Sequence, residues 1–330
     1  MSSEPGSSET GTDVLPEDRS AGGRTRARVQ RHVRWVRRDG LARMIEEDDL
    51  HPWERLQASV EGRRWRARHG VPAGSARAVF VVGVQRSGTN MVVRGFERRP
   101  EIEVHNENDR AVFERFQLRD DDVVRDVVRH SRHAIVMFKP LCDSHRTADL
   151  LAMTIPKGFV SAGLPRAVWV YRGVDGRARS AVRKFGDVNR RVLAEIARGD
   201  GRDRWQAQRM SDSSLELVRR CDPERLSPES AAALFWVVRN RLYFEQGLHL
   251  RPDVHLASYD RFVAEPEDES LALAAFLGVE PGAELWAHVD RRSAYTPPLD
   301  LDRRVRDAAE ELEAELWLTT ERCNRRAFGV

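Results

Sequence analysis

Short apolar runs alternate with amphipathic stretches from residue 76 onward. Continuous apolar runs of a few residues are typical of strands buried on both faces, and apolar positions recurring every three to four residues are typical of packed helices. The alternation predicts a three-layer α/β fold, in which helices flank a central parallel sheet of about five strands. The predicted strands are Val79–Val82, Ile102–His105, Ala134–Phe138, Ala167–Tyr171 and Val254–Ala257.

Helical patterns separate these strands and dominate residues 186–250. In a parallel sheet, ligands bind at the carboxyl ends of the strands, so the loops that begin the helices are the places to look for chemistry. The predicted helices lie near Asn90–Arg98, Asp121–Arg132, Ser144–Met153, Val174–Phe185, Glu229–Leu248, Leu271–Leu277 and Arg303–Thr320.

The residues before this domain differ from it in composition and in hydrophobic periodicity. Residues 1–23 are rich in Ser, Gly, Glu and Asp, without hydrophobic periodicity, and are interpreted as a disordered tail. Residues 24–75 are predicted to form a basic helical extension. Within it, residues 24–38 contain seven arginines and an apolar helical spacing, which suits either a solvated surface helix or a peripheral contact with anionic lipid or an acidic partner. Residues 76–330 form the α/β domain.

Composition narrows the classes of function. The longest apolar stretches are about seven residues, whereas a membrane span needs roughly 20, so no span and no secretory leader are expected. The only cysteines, Cys142, Cys221 and Cys323, are far apart. This spacing gives no expectation of a metal site, and three separate cysteines are typical of a cytoplasmic protein, which is the predicted location. The formal net charge of +3 and the lack of a reading module give no expectation of nucleic acid as a partner.

A glycine-rich loop follows the first strand. Gly83 to Gly88 has the spacing of an ATP-binding P-loop, but Thr89-Asn90 stands where the Lys-Ser/Thr pair of that motif would be. Glycines, a cation, hydroxyls and a helix N-terminus are still the elements of an anion cradle. The candidate anion-binding residues here are Gln85, Arg86, Ser87, Gly88, Thr89 and Asn90.

A second candidate anion site follows the fourth strand. Arg172 ends that strand, and Ser180 lies eight residues later, two turns into the next helix. Such a pair can converge on one anion, through a fork of guanidinium donors and a hydroxyl. From the residues alone, pairing of Arg172 with Asp175 is an equal alternative.

Together these motifs resemble the sulfotransferases that use PAPS (3′-phosphoadenylyl sulfate). Val-Gly-Val-Gln-Arg-Ser-Gly-Thr is similar to their 5′-phosphosulfate loop, and Arg172 with Ser180 is similar to their 3′-phosphate pair. The resemblance covers roughly residues 76–295, including a Ser-Tyr-Asp segment near Tyr259. It implies a P-loop-like fold, PAPS as donor and PAP as product. It further implies a hydroxyl or amine acceptor on a small molecule, glycan or lipid, with residues 186–250 as a helical insertion on the acceptor side.

A sulfonate transfer needs a base beside the acceptor and cations beside the leaving group. Glu103-Val-His105 resembles the Glu-Val-His of heparan sulfate 3-O-sulfotransferases, which makes Glu103 the first candidate base, ahead of His105 and Glu107. Lys139, at the end of the third strand, resembles a Lys-Thr-Pro element of carbohydrate sulfotransferases. Lys139 is expected to contact the sulfonate or acceptor, and Arg86 to help carry the developing charge.

Several candidates stay open in the sequence. An ATP-dependent kinase and a non-catalytic nucleotide-binding protein are the alternative functions, and the oligomeric state is not determined. Asp143 and His145 are either acceptor-side groups or part of a helix start, Trp205 and Trp236 are expected in the core, and Lys157 in a loop. Weaker nucleotide-side candidates are Lys184, Arg291 and Arg292.

Overall fold

The computed structural model describes residues 52–153, 163–201, 203–291, 293 and 295–329. By its contacts the chain divides into two units, Met1–Gln57 and Ala58–Val330, and the fold and site below belong to the second. The predicted tail 1–23, the basic segment 24–38, Lys157 and Arg292 lie outside the described residues.

The central sheet has five parallel strands, as predicted. Its strands lie in the spatial order Ile102–His105, Ile135–Phe138, Arg77–Gly83, Arg166–Tyr171 and Val254–Ser258, so that the first strand of the chain is central and the first loop opens in the middle of the carboxyl edge. This P-loop-like α/β arrangement confirms the predicted fold class. The sheet strands are β1 Arg77–Gly83, β2 Ile102–His105, β5 Ile135–Phe138, β6 Arg166–Tyr171 and β7 Val254–Ser258.

Helices connect these strands, close to the predicted positions. The predicted helix Ser144–Met153 is instead a 3₁₀ turn, Leu141–Arg146, followed by α4, because the Ser144 hydroxyl is tied to the Gly83 carbonyl at 2.7 Å. The helices are α1 Pro52–His69, α2 Thr89–Glu97, α3 Asp121–His130, α4 Thr147–Ala152, α5 Val174–Phe185, α6 Val188–Arg198, α7 Asp212–Cys221, α8 Pro228–Glu245, α9 Tyr259–Ala264, α10 Pro266–Leu277 and α11 Arg303–Ala327.

Two hydrophobic cores lie on opposite faces of the sheet. On β1, Phe80 and Val82 belong to one core, and Val79 and Val81 belong to the other. Helices α3 to α8 and α11 contribute to the first core, and α2, α9 and α10 contribute to the second. Burying one such side chain fully stabilises the fold by about 1.5–3 kcal/mol. The rigid sheet therefore fixes where each strand-end loop begins.

A small hairpin that the sequence pattern did not predict follows β2. It pairs β3, Phe113–Glu114, with β4, Gln117–Leu118. Arg115 and Phe116 form its turn, with φ of 50° and 69°. Such turns usually carry Asn-Gly or Asp-Gly, so Arg-Phe has no recognisable turn signal. The backbone N–H of Leu118 donates to Asp143 at 2.8 Å, which anchors the hairpin to the segment after β5.

Residues 186–250 are mostly helical, and α8 is their longest helix. It is buried along most of its length, and Trp236 within it is fully buried, as predicted for a core residue. Trp205 is half-buried and packs edge-on against Phe235 of α8. Thus α8 forms part of the first core. The acceptor-side role of this segment stays a prediction.

Candidate anion-binding and catalytic site

The loop between β1 and α2 turns through three left-handed backbone positions. The φ angles are 130° at Gly83, 72° at Arg86 and 89° at Gly88. A β-carbon at Gly83 would overlap the Val170 carbonyl, and one at Gly88 would overlap the Tyr259 ring. Left-handed φ is unusual for arginine, and turns of this kind expose successive N–H groups as a concave anion site. The first turn of α2 contains no acidic residue that would offset its positive dipole end.

The two motifs recognised separately in the sequence meet in the structure. Nε of Arg86, in the first loop, donates a hydrogen bond to Oγ of Ser180 on α5 at 3.1 Å. These residues are 94 positions apart in the chain. Ser180 is buried. The contact joins the loop after β1 to the helix after β6, at the carboxyl edge of the sheet.

The side chain of Arg172 lies against α5, the helix that carries Ser180. Its Cζ is 4.4 Å from the centroid of the Tyr259 ring, a cation–π geometry. A β-carbon at Gly176 would lie 2.7 Å from Nε of Arg172, so the missing side chain makes room for the guanidinium. Gly176 and Ser180 are one helical turn apart, which places Arg172 on the face of α5 that carries Ser180.

The hydroxyl of Ser87 is a buried group that lacks a protein partner. Ser87 is fully buried, and within the described part of the chain its Oγ makes no hydrogen bond. An unsatisfied buried hydroxyl costs about 1–3 kcal/mol. Together with the guanidinium donors of Arg86 and Arg172, this hydroxyl forms a donor set that fits a phosphate- or sulfate-type anion.

Arg177, on α5, is a buried cation behind the first loop that sequence reasoning missed. Its Nε donates to the carbonyl of Gln85 at 3.1 Å, and its Nη1 donates to the carbonyl of Ala232 at 2.7 Å. Burial, with the nearby Arg86 charge, lowers the pKa of Arg177 to about 9. A signal existed: Arg177 interrupts the apolar stripe of Val174, Ala178 and Ala181 on α5.

The N-terminus of α5 is already occupied by carboxylates of the protein. Asp260 accepts a hydrogen bond from the Gly173 N–H at 2.6 Å, and the Glu313 carboxyl lies beside Gly173 and the backbone of Val174. Asp175 is paired with Arg306 at 2.8 Å, rather than with Arg172. Burial and the charges of Asp260 and Asp175 raise the pKa of Glu313 to about 7. Because carboxylates already cap the start of α5, the groups left to bind an anion at the carboxyl edge of the sheet are the start of α2 and the side chains beside α5.

Lys139 and Glu107 lie together beside the start of α2. The ammonium of Lys139, which is buried, donates to the side-chain oxygen of Asn90 in the first turn of α2. The carboxyl of Glu107 lies near the backbone of Leu141 and near the Lys139 ammonium. Burial raises the pKa of Glu107 to about 7, against the lowering effect of Lys139, with a further raising effect from Asp143.

Glu103, the first candidate base, lies away from the first loop. In the sheet register it aligns with Val136, which aligns with Ala78, five positions before Gly83 on β1. At about 3.3 Å per residue this is about 16 Å back along the strand direction. Its carboxylate accepts a hydrogen bond from Ser131 at 2.6 Å.

The Glu103 carboxylate is also paired with a histidine. His105 Nε2 lies 3.4 Å from Glu103, and Nδ1 lies 2.7 Å from Asp109. Burial opposes ionisation of Glu103, but the ion-pair contact with His105, the hydrogen bond from Ser131 and the nearby histidine charges lower its pKa to about 2. Burial likewise opposes protonation of His105, but its contacts with Glu103 and Asp109 raise its pKa. These two candidates form an ion-paired cluster away from the first loop.

A groove opens beside the segment that follows Lys139. It has a volume of about 490 Å³ and is lined by His145, by Ile196 at the end of α6, and by Met210 and Leu215 near the start of α7. His145 Nδ1 lies 3.1 Å from the carbonyl of Cys142. Burial and the charges of nearby arginines lower the pKa of His145 to about 4, so the ring is neutral near pH 7.

Two weaker candidates lie outside the first loop. Lys184 lies in the last turn of α5, and Arg291 is exposed, with Nε donating to the Ala264 carbonyl at 2.9 Å. Within the described ranges, no group of three or more His, Cys, Asp or Glu side chains is arranged to hold a metal ion. In the same ranges, no helix has the length and apolarity to cross a membrane.

Comparison with known proteins finds similarity among solved structures only. No protein-family model matches the chain, and no curated protein matches it. Among solved structures, the chain is similar to the crystal structure of a sulfotransferase from Alicyclobacillus acidocaldarius, with 16% sequence identity and a TM-score of 0.39. The match covers 77% of this chain and 96% of that chain. The function is therefore inferred from the geometry of the site.

Proposed function

We propose that the protein is a sulfotransferase. It binds PAPS, transfers the sulfonate group to a hydroxyl or amine of a small-molecule, glycan or lipid acceptor, and releases PAP. The observation that carries the proposal is the 3.1 Å hydrogen bond between Arg86 and Ser180, which unites two anion-binding motifs 94 residues apart. A single phosphate cradle would need only the first of them.

The residues present fit a ligand with two anionic groups. The N–H groups at the start of α2, the Ser87 hydroxyl and Arg86 suit the phosphosulfate, while Arg172 and Ser180 suit a second phosphate. ATP with magnesium fits less well, because Thr89 and Asn90 replace the lysine and hydroxyl that hold its phosphates and metal. PAPS, when bound, supplies the activated sulfonate, and the protein supplies binding, orientation and proton transfer.

Glu107 is the proposed general base. It takes the proton from the acceptor hydroxyl or amine at a carboxylate oxygen, and its pKa of about 7 matches a base that works near neutral pH. Lys139, oriented by Asn90, stabilises the negative charge that develops on the sulfonate oxygens. The groove beside His145 is the proposed seat of the acceptor, since His145 belongs to the turn Leu141–Arg146 that follows Lys139.

Thermal unfolding with nucleotides tests the proposal. A ligand at 100 times its dissociation constant adds about 2.7 kcal/mol of stability, which raises the melting temperature by a few degrees. PAP should stabilise the protein more than ATP–magnesium or AMP, and the variant Arg86→Ala should lose most of the shift. Arg183→Ala, which removes an exposed arginine from α5, is the control.

The other outcomes point elsewhere. Stabilisation by ATP–magnesium alone would replace the sulfotransferase proposal with a kinase. No shift with any nucleotide would overturn the binding site itself. Stabilisation by PAP without turnover of PAPS in a broad acceptor screen would leave a non-catalytic nucleotide-binding protein.

A further inference from the structure

Arg177 is enclosed by neutral groups. Its side chain is 1% exposed and donates to two backbone carbonyls, Gln85 and Ala232, with the Asn189 side-chain oxygen at 3.5 Å. The remaining neighbour is the Phe235 ring, whose centroid is 5.2 Å from Cζ. Among the described residues, no carboxylate forms an ion pair with this guanidinium.

A buried charge without a counterion is costly, and proteins usually pair it. The charged group that acts most on Arg177 has the same sign: the cation of Arg86, whose repulsion adds to burial in lowering the Arg177 pKa. Two cations thus lie close together at the first loop, and the buried one, Arg177, has no carboxylate partner among the described residues. An anion bound in that loop would supply the missing counter-charge.

Arg177 also orients the loop backbone. The C=O and N–H groups of one trans peptide point in opposite directions. Because the Gln85 carbonyl is held towards Arg177, the N–H of Arg86 in the same peptide points away from Arg177. The left-handed φ of 72° at Arg86 belongs to the same turn. Arg177 therefore contributes a fixed charge and a fixed peptide orientation to the anion-binding loop.

We propose that Arg177 is a positioning and specificity-determining residue: a buried positive charge beneath the loop that selects multiply charged anions over neutral nucleosides. It acts through Gln85 and Arg86 and does not touch the ligand. The identity of the ligand as PAP rests on the function proposed above, whereas the selection for charge does not.

The test compares Arg177→Gln with wild type by calorimetric titration of three probes: PAP, inorganic pyrophosphate and adenosine. Removing one buried charge near the anion should weaken PAP and pyrophosphate binding by about tenfold or more, and adenosine binding by less than about twofold. A merely structural lesion would weaken all three alike. Arg183→Gln, on the exposed side of α5, is the matched control and should leave all three affinities unchanged.

Two further variants keep the test decisive. If Arg177→Gln does not fold, Arg177→Met replaces it, because an apolar side chain of similar length leaves no unpaired buried charge. Arg177→Lys, which keeps a positive charge, should retain more PAP affinity than either neutral variant.

The possible failures are distinguishable. If Arg177→Gln binds PAP as tightly as wild type does, and likewise pyrophosphate, the role of Arg177 is overturned while the proposed function stays intact. Wild-type protein that binds pyrophosphate in an Arg177-dependent way, but not PAP, would overturn the proposed function and support the charge role. Wild-type protein that binds neither anion would overturn both.

Discussion

Glu103 and Glu107 are four residues apart and have opposite acid–base character because their surroundings differ. Glu103 accepts a hydrogen bond from Ser131 and forms an ion pair with His105, so its pKa falls to about 2 and it holds a proton poorly. Glu107 is enclosed beside Asp143 and Lys139, so its pKa rises to about 7. A carboxylate that is so stabilised by partners is a weak base, whereas one with a pKa near 7 can exchange a proton at neutral pH.

Replacing Glu107 with glutamine should slow sulfonate transfer by about 100-fold or more, the usual contribution of a general base. PAP affinity should stay within about twofold, because the role proposed for Glu107 concerns the acceptor and not the nucleotide. The wild-type rate should rise with pH and level off above about 7, since only the carboxylate accepts a proton and the pKa is about 7. Rates from labelled PAPS, with an acceptor found by screening, check both effects.

The matched control is Glu103→Gln, a carboxylate of the same strand-end region. Its transfer rate and pH profile should follow those of wild type. A large loss of rate in this variant, with Glu107→Gln unaffected, would return the base to Glu103 and contradict the assignment.

At the scale of elements, the residue just before α2 is Gly88, its N-cap, and its lack of a side chain matters in two ways. Gly88 has a φ of 89°, and its missing β-carbon leaves space for the Tyr259 ring. That ring also supports Arg172, so the helix start and the second anion motif share one contact. Gly199, at the end of α6, has the same φ of 89° but nothing within 4 Å of the β-carbon position.

Gly88→Ala should therefore destabilise the protein more than Gly199→Ala. The backbone strain is the same in both, about 1–2 kcal/mol for a left-handed alanine. Gly88→Ala adds the clash with Tyr259, which should cost about 1–3 kcal/mol more and weaken PAP binding by displacing Arg172. Urea unfolding and PAP titration of the two variants check this. Equal losses of stability, with PAP affinity preserved, would show that the Tyr259 contact is unimportant.

The elements that sequence patterns missed are those whose conformation depends on contacts from afar. The hairpin at Phe113–Leu118 turns at Arg115-Phe116, which carries no turn signal, and is anchored by Asp143. The 3₁₀ turn before α4 replaces helix where Ser144 is bonded to Gly83, 61 residues away. The strands were predictable because burial on both faces leaves a continuous apolar run in the sequence.

At the scale of the whole molecule, α8 connects the first core to the site. Trp236 is fully buried, and its indole N–H donates to the Arg172 carbonyl at 2.8 Å. Trp169 is equally buried, but its indole N–H donates to Asn240 at 3.1 Å, away from the loop. The position of Arg172 is thus set by core packing as well as by its own strand.

Trp236→Phe should lower both stability and ligand affinity. Losing the indole N–H leaves the buried Arg172 carbonyl unpaired, at a cost of about 1–3 kcal/mol. The resulting shift of Arg172 should weaken PAP binding by about fivefold, equivalent to about 1 kcal/mol. Trp169→Phe loses a similar buried bond and should lower stability while leaving PAP affinity intact. If both variants bind PAP like wild type, core packing at Trp236 does not control the site.

The local features could be read from the order of the residues alone: the five strands, the helices between them, and the glycines, arginines and hydroxyls at the strand ends. These follow from apolar periodicity and short-range residue chemistry, which are written along the chain. Contacts made in the folded chain were needed to bring Arg86 to Ser180, to bury Arg177 where no carboxylate of the described residues pairs with it, and to separate the surroundings of Glu103 from those of Glu107. Desolvation and the charges of residues distant in sequence govern these properties, and strand register and helix packing set those distances.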